Sequence, residues 1–273
     1  MFRYLRSIYR AVAAAFWTLA MILISLPYDL LGWKGRKRIA SLLRAWARGV
    51  ARICGIRVKI YGEPFAAEGG LVISNHLGFL DIIVHGTVFP LRFTSTTEIA
   101  SLPVVGKIIS LSHPVFVTRG ASFSSKKASR DFAKTVRKGL YLIVYPEGTS
   151  TDGLNGVLPF KTTSFEAAAR YDLPVIPLIT RYREVPGRST ACWIGDMKFL
   201  PHLWELLSYP SIEAELHFME PIRPEGRNRK ELAEYAREKM DAECRRLVKE
   251  AESKEGKISI DPVTGMVSRI TGD

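Results

Sequence analysis

Apolar and polar positions follow several distinct registers along this chain, and each register predicts an element. Leu71-Val72-Ile73 is apolar at consecutive positions, as a strand buried on both faces must be. Tyr141-Leu142-Ile143-Val144-Tyr145 has the same character and is stopped by Pro146. Ile56-Arg57-Val58-Lys59-Ile60-Tyr61 alternates, which predicts a half-buried strand. Further strands are predicted at 92–96, 115–117, 175–180, 191–194 and 212–219. Between them, residues 82–84 open a helix, 126–138 carry Phe132 and Val136 on one face, and 162–171 form a third helix. A long helix follows over 229–250, with Leu232, Ala236, Met240 and Leu247 inward. The Pro- and Gly-punctuated stretch 102–111 reads as a kinked helix. Strands alternating with helices predict an α/β fold, a mixed sheet flanked by helices.

The first 55 residues have a different pattern. Residues 11–28 contain no charge, and the run from Phe16 to Leu26 is strongly apolar. Eighteen residues are at the short end of a bilayer span, which needs roughly 20, and Pro27 is expected to shorten the regular helix further. No small-x-small cleavage site follows, which argues against a signal peptide. Basic residues flank the run on both sides, so the positive-inside rule gives no simple crossing. Over 36–53, Ile39, Leu42, Leu43, Trp46, Val50 and Ile53 share one side of a helical wheel, opposite Lys37, Arg44, Arg48 and Arg52. That pattern predicts a basic amphipathic helix lying in a membrane interface; the alternative is a stripe packed on the protein's own core. The expected organisation is a membrane-binding two-helix element at 1–55, an α/β domain at 56–250 and a polar, mobile tail at 251–273.

Composition sharpens this picture. In 273 residues with 47% hydrophobic content there is ample material for a core. The net charge is +12, yet residues 1–60 hold twelve basic residues against one acid, Asp29, so +11 of it lies there. Such asymmetry points to a polyanionic partner. An anionic membrane is expected over nucleic acid, because a groove-binding helix has no use for an adjacent apolar segment. Cys54, Cys192 and Cys244 lack CxxC spacing, so neither a disulfide framework nor a zinc site is indicated, and a reducing compartment fits.

Candidate chemistry clusters where strands end, the usual place for sites in open α/β sheets. The first cluster is Asn75-His76-Leu77-Gly78-Phe79-Leu80-Asp81. On a regular helix His76 and Asp81 stand about 140° apart, so they meet only if the chain turns, and Gly78 gives freedom for that. Met in that way, they make a general base with an orienting carboxylate and no serine or cysteine nucleophile. The other reading is a loop histidine beside a helix N-cap aspartate. The second cluster is Arg119, just past 115–117, suited to a phosphate or carboxylate. The third is Pro146-Glu147-Gly148-Thr149-Ser150, where a tight turn and the Thr149 hydroxyl can cradle an anion. Lys161 is a further phosphate candidate. His85, His113, His202 and His217 have no partner at ligand spacing and read as structural. GxSxG, P-loop, GxGxxG and HExxH patterns are absent, which leaves hydrolase, nucleotide and zinc-protease readings without support, and no metal is expected.

In order and spacing these motifs resemble the glycerolipid acyltransferase family, specifically the bacterial 1-acylglycerol-3-phosphate (lysophosphatidic acid) acyltransferases. Asn75, His76 and Asp81 match its N-H-x4-D motif, and 116–119 its strand ending in arginine. Tyr145-Pro146-Glu147-Gly148-Thr149 matches most of F-P-E-G-T-R-S, and Leu173-Pro174-Val175-Ile176-Pro177 matches the later proline strand. The resemblance covers roughly 56–220. It implies acyl transfer from a thioester, acyl-CoA or acyl carrier protein, to the free hydroxyl of 1-acylglycerol 3-phosphate, giving phosphatidic acid, with no further cofactor. His76 and Asp81 would be catalytic, while Arg119, Glu147, Gly148, Thr149 and Lys161 would hold the acceptor. It also implies a place on the cytoplasmic face of the inner membrane, monotopic or through one N-terminal segment. Two departures bear on the acceptor: Gly78 stands where many members have serine, and Ser150 where most have arginine. Another lyso-phospholipid, or a phosphate-free lyso-lipid such as lyso-ornithine lipid, is therefore an alternative acceptor. A non-catalytic membrane-binding protein on the same fold is the alternative from a different class.

Overall fold

A computed structural model describes residues 2–63, 69–96, 112–117 and 126–270. Among these residues the core is a seven-stranded sheet. Its strands are β1 (Ile56–Tyr61), β2 (Gly70–Ser74), β3 (Leu91–Thr96), β4 (Val115–Val117), β5 (Tyr141–Val144), β6 (Val175–Tyr182) and β7 (Ile212–Phe218). They lie in the order β1-β7-β6-β2-β5-β3-β4. Every neighbouring pair is parallel except β6 with β7, so the sheet is mixed as expected. The central β2 is buried along its whole length, which explains its unbroken apolar run. Near the edge, β7 buries alternate residues, Ile212, Ala214, Leu216 and Phe218.

Two apolar layers cover the sheet. On one face, Val72, Ile143, Ile176 and Leu178 pack with α2 (Gly32–Cys54), α3 (Leu80–Gly86) and α6 (Phe199–Ser208). On the other, Leu71, Ile73, Leu142 and Val144 pack with α4 (Lys126–Arg137), α5 (Glu166–Tyr171) and α7 (Arg229–Glu255). The long α7 starts at a capping box: Asn228 accepts from the N–H of Lys230 and Glu231, and Glu231 accepts from that of Asn228.

The N-terminal element is an antiparallel hairpin of α1 (Phe2–Asp29) and α2. Helix α1 runs through Pro27 to Asp29, longer than the sequence reading allowed. The apolar stripe of α2 is a correction to the interfacial reading. Ile39 and Val50 are buried, while Leu43, Trp46 and Ile53 pack against the core. The Trp46 indole N–H donates to Thr18 Oγ1 at 3.0 Å, and that of Trp17 donates to Trp46 O at 3.0 Å. Gly49 makes room for this lock, since a Cβ there would lie 2.1 Å from Trp17 Nε1. Arg44 and Arg48 both point to the carbonyl of Thr87, at the end of α3. The helix is amphipathic as its pattern predicts; its apolar side faces protein because α1 and the sheet enclose it.

Both ends of α1 are tied to the domain. Arg10 donates to the carbonyls of Leu207, Tyr209 and Pro210, and Arg6 to that of Ser208, so they satisfy orphan carbonyls at the end of α6. At the far end the Asp29 carboxylate lies 2.7 Å from His113 Nε2, and the guanidinium groups of Arg36 and Arg92 stack on Trp33. A helix anchored at both ends lies along the domain. Its outward side exposes Phe16, Leu19, Leu23 and Leu26.

Three further differences concern shorter elements. The helix α6 was not anticipated, and 191–194 form no strand but part of an irregular segment. Residues 162–171 divide into a 3₁₀ turn (Thr162–Phe165) and α5. The segment expected as a mobile tail continues α7 to Glu255 and then folds as a hairpin of β8 (Ile258–Ile260) and β9 (Val267–Arg269). Val267 exchanges hydrogen bonds with Gly187 and Arg188, and Thr190 donates to Gly265 O, so the hairpin is docked on 187–190. Those bonds are main-chain bonds, which residue polarity does not report.

Candidate active site

The site forms where β2 gives way to α3. After Ser74 the chain leaves the sheet, and the Asn75 amide takes over the pairing with β6. Its oxygen accepts from Thr180 N at 2.8 Å and its nitrogen donates to Thr180 O at 3.0 Å. His76 follows, partly exposed. The chain then reverses at Gly78, whose φ of +149° is a region nearly confined to glycine. A Cβ at Gly78 would also meet Trp193 at 2.9 Å. The turn brings Asp81, in the first turn of α3, back to His76: Nδ1 and Oδ2 are 2.7 Å apart. The pairing that the sequence left open is thus present.

Asp81 is fully buried and makes four hydrogen bonds. Oδ2 accepts from His76 and from the N–H groups of Leu77 and Gly78, at 2.8 and 3.1 Å. Oδ1 accepts from the Tyr182 hydroxyl at 2.7 Å. Burial pushes the carboxyl up, but the His76 hydrogen bond, the neighbouring imidazoles and Tyr182 together hold it below the ordinary aspartate value. An ionised carboxylate only accepts, so Nδ1 carries the proton and Nε2 is left as the basic nitrogen of His76. The imidazole stacks on the Tyr145 ring, with centroids 4.3 Å apart.

Behind this pair lies a second buried layer. The Tyr145 hydroxyl is 2.9 Å from His85 Nδ1, and His85 Nε2 is 2.7 Å from Thr180 Oγ1. Burial lowers the His85 value to about 4, so it stays neutral. The phenols of Tyr145 and Tyr182 are pushed well up by burial and remain hydrogen-bond donors. His85 is structural, as expected, but its structure is that of the site.

The turn after β5 closes the other side. Glu147 is buried, and its two oxygens accept from His76 N and Leu158 N, both at 2.9 Å. Burial raises its value while those two backbone N–H groups oppose the rise. Thr151 N donates to His76 O at 2.8 Å, so the His76 main chain is gripped on both sides. Glu147 therefore braces the histidine, where the sequence reading had it among the acceptor-holding groups. Gly148 has φ +73°, and a Cβ on it would lie 2.1 Å from Lys161 Nζ, which places that ammonium over the turn. Gly148, Thr149 and Lys161 are exposed together beside this brace. Ser150 donates inward to Trp193 O. Arg119 lies outside the described residues. Among the described residues, no three His, Cys, Asp or Glu side chains form a cluster suited to a metal.

Sequence reasoning missed Tyr182 and Trp193. A faint signal existed for the first: Thr180 and Tyr182 are polar-tipped residues two apart at the end of an apolar strand, hence on one face.

A base with an oriented imidazole, set on an α/β sheet, has relatives. The profile of a family described as Acyltransferase matches residues 57–181. Lyso-ornithine lipid O-acyltransferase of Brucella abortus is 32% identical over 229 residues, spanning 77% of this chain and 84% of its own. The chain belongs to the acyltransferase family. A 1-acyl-sn-glycerol-3-phosphate acyltransferase of Neisseria meningitidis is 30% identical over 63% of this chain and 68% of its own. Among solved structures, the 1-acyl-sn-glycerophosphate acyltransferase PlsC of Thermotoga maritima superposes with a TM-score of 0.64. It is 21% identical, and the match covers 93% of this chain and 97% of that one. This acyltransferase therefore shares the fold of PlsC, and its relatives act on more than one lyso-lipid.

Proposed function

We propose that this acyltransferase esterifies the free hydroxyl of a lyso-lipid directly, with His76 as general base. The observation that supports this most is the His76–Asp81 contact of 2.7 Å, which leaves Nε2 to accept a proton. Nε2 takes the hydroxyl proton as the acceptor oxygen attacks the thioester carbonyl. The new C–O bond forms, and the carbonyl electrons move onto oxygen. Collapse of that intermediate breaks the C–S bond, and the departing thiolate takes the proton back from the imidazolium. Asp81 stabilises the imidazolium between these events and keeps the ring in one tautomer. The donor is acyl-CoA or acyl carrier protein.

For the acceptor we favour a phosphate-free lyso-lipid of the lyso-ornithine kind, with lysophosphatidic acid second. Two observations support that order. Ser150, where the family pattern has arginine, uses its hydroxyl on Trp193 O, so this position offers no guanidinium. A relative aligned over 77% of this chain carries the lyso-ornithine name. The Lys161 ammonium over the Gly148 turn is the feature that favours a phosphate. The surroundings of α1 support a monotopic placement, with its exposed apolar side in the leaflet that faces the thioester donors, the cytoplasmic one. Initial rates with both acceptors and both donors test the whole reading. Transfer to neither acceptor by folded protein would refute it, and faster transfer to lysophosphatidic acid would reverse the order.

A further inference from the structure

The helix α6 presents an apolar surface that the catalytic chemistry does not use. Leu200 is 72% exposed, Phe199 43% and Trp204 40%. Leu200 and Trp204 are four apart and share one side of the helix, while His202 and Leu206 are buried on the other. This surface adjoins the N-terminal third of α1, since Ser7 Oγ reaches Trp204 O and Arg3 reaches Ser208 Oγ. There α1 exposes Tyr4, Leu5 and Ile8. Lys198, at the N-cap of α6, and Arg3 add exposed cations at the margin. Aromatic and aliphatic side chains rimmed by cations suit the boundary of an anionic bilayer.

The same surface leads straight to the base. The Phe79 ring, between His76 and Asp81 in sequence, meets Phe199 edge-on at 4.9 Å and Trp193 at 6.1 Å. Trp193 N donates to Leu77 O at 2.7 Å. Any surface that holds α6 therefore also holds the loop that carries His76.

We propose that α6 is a second membrane-contacting element, which inserts Phe199, Leu200 and Trp204 into the same leaflet as α1 and seats the catalytic turn at the lipid surface. This rests on the monotopic placement of α1 proposed above. Its occupant is a phospholipid bilayer, and its consequence is that a lipid hydroxyl reaches His76 without leaving the membrane. The full chain carries the test, because Cys54, Cys192 and Cys244 are buried and leave an introduced thiol as the reactive one. Leu200→Cys, Leu19→Cys and Glu234→Cys proteins are labelled with a polarity-sensitive dye and mixed with vesicles of phosphatidylethanolamine and phosphatidylglycerol containing brominated lipid. Labels at 200 and 19 should be quenched, and that at 234, on the exposed side of α7, should not. In addition, Leu200→Glu with Trp204→Glu should weaken vesicle partitioning by about tenfold or more, given that each large apolar side chain buried contributes over tenfold. Its turnover should fall on vesicle-borne acceptor and remain unchanged on acceptor in mixed micelles. A label at 200 that stays in water while that at 19 is quenched overturns the role of α6 and leaves α1 in the membrane. If neither is quenched, both placements fail.

Discussion

Replacing Tyr182 by Phe removes one hydroxyl and tests whether Asp81 acts on His76 as the geometry requires. The phenol is the donor to Oδ1, whereas Oδ2 keeps its three donors, His76 Nδ1 and the N–H groups of Leu77 and Gly78. The carboxylate is therefore expected to stay in place but to become more basic. A hydrogen bond to a charged group contributes roughly 1.5–3 kcal/mol, and one pKa unit corresponds to about 1.4 kcal/mol. If about half of the lost interaction is passed on through Oδ2 to the ring that shares its proton, the effect on a rate profile is roughly half a pH unit to one. The acid limb of kcat/KM against pH should move up by that amount, with the plateau rate lowered only severalfold and KM for the acceptor little changed. The assay is initial-rate transfer to the better acceptor in mixed micelles between pH 5 and 9. Burying Oδ1 without its donor also costs about 1–3 kcal/mol of stability, so a thermal melt of the variant must accompany the rates. A folded Tyr182→Phe protein whose acid limb does not move, or moves down, refutes the coupling of Tyr182 through Asp81 to the base.

Other outcomes follow from the same geometry. His76→Ala should abolish transfer, by a factor of at least 10³, while leaving the melt near wild type; residual turnover within tenfold would show that another group takes the proton. Gly78→Ala should destabilise the fold by roughly 1–3 kcal/mol, through its positive φ and the contact with Trp193, and a urea melt with an unshifted midpoint would contradict this. Two buried groups should oppose each other in acid stability. His85 falls from 6.5 to about 4 on folding, so its contribution is lost as pH falls through that window; Glu184 rises from 4.5 to about 7, chiefly through burial, so its contribution is lost as pH rises. Glu184→Gln should expose the His85 slope, up to about 1.4 kcal/mol per pH unit between pH 4.5 and 6.5, and urea midpoints that stay parallel to wild type would count against it.

The fold class and the reacting pair were legible in the chain because both are local. Consecutive apolar residues at 71–73 and 142–144 can be satisfied only by burial on two faces, and the observed β2 and β5 are central strands. His76 and Asp81 are close in sequence, and Gly78 between them permits the reversal, so the pair needs only the turn that its own residues favour. Glu147 and Tyr182 were different. Local sequence places Glu147 in a turn suited to holding the acceptor, but its carboxylate bonds to His76 N, 71 positions away, and Tyr182 reaches Asp81 across 101 positions. Those contacts depend on the register of β2 against β5 and β6, a long-range property that periodicity in one segment does not carry. The α2 helix shows the same limit from another side. Its apolar stripe would have the same spacing against lipid or against a sheet, and only the position of α1, held by Arg6, Arg10 and Asp29, decided that it faces protein. The C-terminal hairpin was hidden because its anchoring bonds to 187–190 are main-chain bonds, made by groups that every residue but proline possesses. The amino-acid pattern thus determined which segments must be buried and which side chains can react. Which surface buries them, and which distant group braces the base, was decided by tertiary contacts.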